Sequence, residues 1–399
     1  MPIKGGEALL DGWSVQRAPG SPAPLTTATW ILAQFGAIVT EGEQVDTHSV
    51  RIIPRFGRPV EAGLRGWTGE RALAEAPPQG SVLGAYAALR LAGAAVLAGR
   101  RGIDIRLPTA HLIAELSTPL RVQGGSQPVL RRCRDGWVVA RWRDEHERLL
   151  FDALAADAPA GTRAEVLAGA RQARLLVASV ERPPAAPAPI ALGTGSLGGA
   201  VGEPRRRSRV IDWSVLWAGP WAAGQLRRSG SLVQRIEHPR RRDGLLASDD
   251  GRRWWGALNH GKRTRLLDAR HPRDRRRLEN AIRDADVLIT SMTPRALSSL
   301  GFDDGWRSDH APHLLHIELV AFEEPWADAP GLGEHAAAQA GLLWQDGAPP
   351  APLHPWADPL LGASALTLSR IWLAGAPRRG GRVRLSLERA ASLAFALPV

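Results

Sequence analysis

VIDWSVLWAGPWAAGQLRRSGSLVQRIE, Val210 to Glu237, is the stretch from which the architecture of this chain can be read. Val210–Trp217 is an apolar run that predicts a buried strand. A Gly219-Pro220 turn and a helical stretch follow, and SLVQRIE predicts a second strand. Two strands joined through a helix run parallel, and a parallel sheet needs cover on both faces. The pattern continues outward. RDRRRLENAIRDADVLITS, Arg273–Ser291, predicts an amphipathic helix followed by strand Val287–Thr290, and HLLHIELVAF, His313–Phe322, predicts another strand. The expected class is α/β, with a Rossmann-like parallel sheet whose ligands sit at the carboxyl ends of the strands.

Bulk properties narrow the function. A chain of 399 residues, 44% hydrophobic and 23% charged, can bury a sizeable core in two or three domains. Its single cysteine, Cys133, excludes an intrachain disulfide and a cysteine metal cluster, and its 11 histidines are scattered, so a reducing cytoplasm is expected. MPIKGGEALLDGW lacks the apolar core of a signal peptide. Ala85–Gly99, the most apolar run, is interrupted by Arg90, so neither export nor membrane insertion is expected. The net charge of +11 invites a nucleic-acid reading through RRRSR at Arg205–Arg209, RRR at Arg240–Arg242 and RDRRR at Arg273–Arg277. Against it, Lys4 and Lys262 are the only lysines, Tyr86 is the only tyrosine, and no stacking aromatics interleave with the basic runs. An anionic small ligand satisfies the same charge.

Comparing the sequence with itself reveals two matched pairs. LGAYAALRLAGAAVLAGRRGIDIRL, Leu83–Leu107, resembles LLGASALTLSRIWLAGAPRRGGRVRL, Leu360–Leu385; Gly84 matches Gly362, 278 residues on. AQFGAIVTEGE, Ala33–Glu43, resembles RRSGSLVQRIE, Arg227–Glu237, with Gly36 matching Gly230, 194 residues on. The expected organisation is a degenerate first copy of a large domain over 1–125, a small α+β domain over 126–180, a Pro/Ala/Gly-rich linker over 181–207, and a more complete large-domain copy over 208–399. GTGSLG, Gly193–Gly198, fits a dinucleotide-binding pattern, but GAVGEPRRRSR after it cannot readily supply the required helix.

VIDWSVLWAGPWAAGQLRRSGSLVQRIEHP, ALNHGKRTRLLDAR, ADVLITSMTPRALSSLGF and WADPLLGASALTLSRIWLAG, in that order, resemble the family III CoA-transferases of the CaiB/BaiF group. That family includes formyl-CoA and carnitine-CoA transferases and the α-methylacyl-CoA racemases. The resemblance covers Val210 to about Ser392. CRDGWVVARW resembles the family's small domain. It implies acyl-CoA and a carboxylic acid as partners, CoA as substrate with no tightly bound cofactor, no metal, and an interlocked homodimer or an intrachain pseudo-dimer in its place.

Physical reasoning points to a CoA pocket in the second copy. Ala218, Gly219 and Pro220 make a tight turn at a helix N-terminus, where a backbone can approach an anion. Arg235 near a strand end and Lys262 in the turn beside Asn259 are candidate phosphate partners, Lys262 because a lone lysine among arginines suggests a need for a compact ammonium. The resemblance implies an arginine where Thr293 stands, and Arg295 is the candidate substitute.

For the chemistry, the resemblance implies a nucleophilic aspartate at the position held by His335 in GLGEHAAAQA, and acid/base residues at Glu334 and at Asp358 of WADPLLG. Three readings stay open. Glu334 is a carboxylate nucleophile for CoA transfer; or Glu334 or His335 with Asp358 exchanges a proton α to a thioester; or the domain binds CoA without turnover. In the first copy Gly80 stands where Asp358 is in the second, so that copy is expected to be structural.

Overall fold

The computed structural model describes residues 3–42, 45–55, 58–65, 79–117, 127–156, 161–185, 191–202, 205–346, 349–350, 355–375 and 378–396. Three sheets organise them. The first has five strands: β1 (Ser14–Arg17), β2 (Ile38–Glu41), β3 (Ser49–Ile53), β4 (Val60–Arg65) and β5 (Ile105–Pro108), in the order β2-β1-β3-β4-β5. Helix α1 (Ala23–Ala33) joins β1 to β2, α2 (Gln79–Arg101) precedes β5, and α3 (Thr109–Ser117) follows it.

A small antiparallel sheet comes next, made of β6 (Val129–Cys133), β7 (Gly136–Arg141) and β8 (Leu176–Ser179). Asp135-Gly136 turns the first hairpin, and Gly136 adopts a φ of 151° there. Helices α4 (Glu145–Leu154) and α5 (Arg163–Gln172) pack on it around Phe151, Val166 and Leu167. Asp144 caps the first helix, and a Thr162/Glu165 capping box starts the second.

The third sheet has seven strands in the order β12-β11-β10-β13-β14-β15-β9. These are β9 (Thr194–Val201), β10 (Arg209–Trp213), β11 (Leu232–Glu237), β12 (Arg263–Leu266), β13 (Val287–Thr290), β14 (Leu315–Val320) and β15 (Arg379–Ser386). All neighbours pair in parallel except β9, which lies antiparallel on β15. The crossovers run through α6 (Ala218–Arg228), α7 (Asp249–Asn259), α8 (Pro272–Arg283), α9 (Pro294–Ser299), α10 (Asp304–His310), α11 (Gly333–Gln339) and α12 (Ala357–Ala374); α13 (Leu387–Ser392) follows β15. Alternation along the strands explains the two layers. Val210, Val233, Val287, Ile289, Ile317 and Val383 join one core, and Ile211, Ile236 and Leu288 join Leu278 and Ile282 of α8 in the other.

Two expectations change. Thr194–Val201, which includes most of GTGSLG and falls inside the expected linker, is the edge strand β9. Gly195 can have no side chain there, because its Cβ would stand 2.1 Å from the Arg382 carbonyl oxygen. Within 181–207, residues 186–190 and 203–204 lie outside the described residues. The apolar run around Arg90 belongs to a 23-residue helix, α2, long and apolar enough to cross a membrane but mostly buried inside the fold. It packs against α1 and α12. Thr367 Oγ1 of α12 donates to the Leu89 carbonyl of α2 at 2.7 Å, two positions separated by 278 residues.

Candidate functional site

In the seven-stranded sheet the chain proceeds outward in both directions from β10, so the strand order reverses between β10 and β13. Parallel sheets bind ligands at the carboxyl ends flanking such a reversal. A cleft of about 550 Å³ opens there. Val215 and Leu216 follow β10, Ser291 and Thr293 follow β13, and Leu319–Ala321 run off β14 into its wall. Strand β10 ends at Trp213, four residues earlier than the apolar pattern suggests, because Leu216 turns the chain with a φ of 63°. Asp243 Oδ2 holds the Leu216 N–H at 3.1 Å in this strained geometry. The facing wall comes from the small domain, whose Arg141, Trp142 and Arg143 reach the cleft from the end of β7.

Asp358 lines the cleft from the first turn of α12. Burial, aided by the negative charge of Glu334, pushes its carboxyl up from 3.8 to about 8. A helix N-terminus favours the ionised form, so desolvation outweighs the dipole here. Gly333 is required beside it, since a Cβ at that position would lie 1.8 Å from Asp358 Oδ2. Gly333 of GLGEH thus lets the α11 backbone close over the carboxyl, while Gly331 makes room for Phe322 and Ala321.

Glu334 and His335 occupy the first turn of α11, and both reach across to the small domain. Glu334 Oε1 accepts from Arg141 Nη1 at 3.0 Å, with both side chains largely buried. His335 is fully buried: the Leu332 N–H donates to Nδ1 at 3.3 Å, and Nε2 stands 3.1 Å from the Leu176 carbonyl of β8. Those partners fix the neutral tautomer with the proton on Nε2, and burial lowers the imidazole pKa further. Both ring nitrogens are engaged, so His335 is corrected from candidate acid or base to the peg that holds β8 against the large domain.

The CoA candidates divide. Ala218 and Gly219 line the cleft, and Gly219 admits Ser214, whose Oγ lies 2.1 Å from where a Cβ would stand. Pro220 is buried outside it. Arg235 is completely buried, donating to Glu237 at 2.8 Å, Asp243 at 2.7 Å and Asp212 at 3.2 Å. Lys262 is buried as well, its Nζ within 2.8 Å of Asp212 Oδ2, Pro220 O and Asn259 Oδ1, while Asn259 Nδ2 donates to the Trp255 carbonyl. Desolvation works to raise the Asp212 carboxyl, but Lys262 and Arg235 together hold it below its ordinary value. Arg235, Lys262 and Asn259 are therefore corrected: they form an ionic knot beneath the cleft. The compact ammonium inferred from sequence is used, but for a buried carboxylate and a helix carbonyl. Arg295 is exposed and does not line the cleft; its backbone N–H bonds Asp328 at 2.9 Å.

Cations do reach the cleft from positions that sequence reasoning missed. Arg242, Arg143 and Arg141 all line it, with Arg242 braced by Glu237 at 2.7 Å and Arg143 by Glu147 at 2.6 Å. The available signals were ARWR at 140–143, directly after a strand, and the HPRRRDG turn after β11. Among the described residues no cluster of three His, Cys, Asp or Glu side chains suits a metal ion.

Residues 207–383 match the family model of CoA-transferase family III. The succinyl-CoA--L-malate CoA-transferase beta subunit of Chloroflexus aurantiacus is 29% identical over 150 residues, covering 35% of this chain and 36% of that protein. The succinate--glutarate CoA-transferase of Agrobacterium fabrum is 28% identical over 154 residues, covering 35% and 38%. The match thus spans little more than a third of the curated relatives' length. A CAIB/BAIF family protein from Brucella suis aligns over 46% of this chain and 53% of its own, at 21% identity and a TM-score of 0.43. The resemblance carried by the four motifs is borne out: residues 207–383 are similar to CoA-transferase family III, and the relatives that match are CoA-transferases.

Proposed function

We propose that this protein transfers CoA between an acyl-CoA and a carboxylic acid in the cleft at the carboxyl ends of β10, β13 and β14. The observation that carries the reading is an apolar cleft at the strand-order reversal of a family III domain, holding one neutral carboxyl, Asp358, beneath a rim of three arginines. Arg143 and Arg242 at the rim suit CoA phosphates, and Ala218 and Gly219 bring backbone close to the thioester arm. Glu334 is the nucleophile in this reading. Its carboxylate attacks the thioester carbonyl carbon, the C–S bond breaks, CoA leaves as thiolate, and a mixed anhydride remains on Glu334. Neutral Asp358 stabilises the developing oxyanion by donating its proton in a hydrogen bond. Arg141 neutralises Glu334 at rest, and transfer requires that guanidinium to turn toward the substrate carboxylate.

A second reading has support of its own. A neutral Asp358 near a carboxylate answered by Arg141 is a pair of acids in different protonation states, suited to removing and returning a proton α to a thioester. Incubation with a panel of acyl-CoAs in D₂O, with and without free carboxylic acids, separates the readings by mass spectrometry. New acyl-CoA species support transfer; deuterium at the α-carbon without acid exchange supports isomerisation or racemisation. CoA binding without either product assigns a noncatalytic role.

We also propose that the five-stranded sheet with α1 and α2 is a reduced copy of the large domain, so that the chain is its own pseudo-dimer. Strand order supports this: β2-β1-β3-β4-β5 runs in the same slots as β11-β10-β13-β14-β15. Gly36 and Gly230 share a left-handed φ, 95° and 101°, 194 residues apart. A monomeric mass in solution supports the pseudo-dimer, whereas a dimer supports the family's partner arrangement. A cytoplasmic location belongs to the same proposal.

A further inference from the structure

The opposite end of the seven-stranded sheet holds a second cleft, of about 350 Å³, beside the starts of β10 and β11. Five guanidiniums line it. Arg100 and Arg101 close α2, Arg370 belongs to the last part of α12, and Arg206 and Arg207 lie on the segment entering β10. The serines at 208, 229 and 231 complete the wall. Arg370 Nη2 donates to Ser229 Oγ at 2.9 Å, Arg207 Nε donates to the Gly230 carbonyl at 3.1 Å, and Arg101 donates to the Ser229 carbonyl. Among the described residues, none of the five has an ion pair with a carboxylate, although the neighbouring Arg205 and Arg209 pair with Asp286 and Asp284. Buried Arg370 Nε has no hydrogen-bond partner.

The ordinary explanation is that arginines gather where helices end. Helices α2, α6 and α12 all finish here, and each C-terminus contributes about half a negative charge. Three such ends offset roughly one and a half of five positive charges, so more than three remain uncompensated in a concave site. Burial, with Arg90 and Arg101, pulls Arg370 down to about 9, and burial, with Arg378 and Arg101, lowers Arg100.

We propose that this cleft is a second ligand site, taking the di- or triphosphate group of a small molecule, separate from the acyl-CoA cleft at the other end of the sheet. Guanidiniums present paired donors that match phosphate oxygens; Ser229 gives its proton to the Gln225 carbonyl, while Ser208 and Ser231, hydrogen-bonded to each other at 3.0 Å, leave one hydroxyl proton to add a neutral donor. Its lining carries no aromatic ring to stack a base, and its walls converge on three helix ends, so the arrangement favours a compact polyanion over a nucleic-acid strand.

The test uses the full chain and inorganic pyrophosphate as the probe, followed by thermal shift and calorimetric titration. Pyrophosphate should raise the melting temperature saturably in the parent protein. Arg370→Gln should weaken binding about tenfold or more, while the ligand-free variant melts no lower than the parent because a repelled charge is gone. Arg206→Ser with Arg207→Ser, both on exposed segments, gives the same loss of affinity should Arg370→Gln fold poorly. CoA should still stabilise these variants as it does the parent, since its cleft is untouched; failure of CoA to bind any form bears on the proposed function and leaves this site intact. An absent or variant-insensitive pyrophosphate response overturns the proposal. Oligonucleotides that bind more tightly than pyrophosphate, with affinity growing with length and falling steeply with salt, would overturn it in favour of a nucleic-acid surface.

Discussion

The two large sheets share a slot order but not a construction. In the seven-stranded sheet the two slots between β10 and β15 hold β13 and β14, parallel strands each reached through helices; in the five-stranded sheet the slots between β1 and β5 hold β3 and β4, a short antiparallel hairpin. The consequence is chemical. A parallel strand delivers its carboxyl end, and the loop beyond it, to one edge of the sheet, as β13 delivers Ser291 and Thr293 and β14 delivers Leu319–Ala321 to the cleft. A hairpin sends one of its strands back and brings no such loops. The segment carrying Glu334 follows β14, and among the described residues it has no counterpart beside the first sheet; under the proposed duplication Gly80 stands where Asp358 would be. The smaller sheet keeps what packing needs, α1 against α2, and α2 against α12.

The contrast between the sheets stands or falls first at Asp358. Under the proposed function, Asp358→Ala, which removes the hydrogen-bond donor, should lower turnover by roughly 10²–10³-fold while leaving CoA-dependent stabilisation in place, and adding Gly80→Asp to that variant should restore nothing. Equal turnover in Asp358→Ala and the parent would remove Asp358 from the chemistry.

The ionic knot is the next largest effect. Lys262→Ala leaves Asp212 buried with one cation fewer and should cost about 3 kcal/mol in a denaturant titration. Loss of CoA binding should accompany loss of fold, not precede it. A stable, folded Lys262→Ala protein that has lost only CoA would return Lys262 to the ligand.

At the seam between the halves, Gly93→Val in α2 presses on Thr367 and Arg370. Thr367 Oγ1 stands 3.0 Å from where a Cβ on residue 93 would lie, and Arg370 Nη1 stands 3.4 Å from it. Overpacking of this kind costs about 1–3 kcal/mol, and the expected signature is an unfolding transition that broadens or splits. Thr367→Val, which removes the hydroxyl that donates to Leu89, should cost about 1 kcal/mol. A single sharp transition of parental midpoint in both variants would show that the halves do not depend on this contact.

A further effect is in pH. The Asp358 carboxyl is raised in the folded protein, so between its unfolded value and about 8 the folded state holds a proton that the unfolded state has released. Stability from this group therefore falls as pH rises from about 4 toward 8 and levels above it. Asp358→Asn should abolish that slope and melt higher than the parent near pH 8; a parallel pH–stability profile would show that the carboxyl is ionised in the fold.

Periodicity alone placed β11, β13 and α8, because each is encoded by the pattern of apolar residues among neighbours in sequence. The β3–β4 hairpin and the edge strand β9 were not legible, since β9 is written in glycines that only make sense against the β15 backbone. The resemblance nominated Asp358, and the Gly-Pro turn nominated Ala218 and Gly219; all three line the cleft. What Arg235, Lys262 and His335 do depends instead on what the folded chain brings beside them. A charge or an imidazole has no fixed role until its surroundings set what it can bond. Carboxylates at 212, 237 and 243 claim the arginine and the lysine, and a carbonyl at 176, 159 residues away in sequence, claims the histidine.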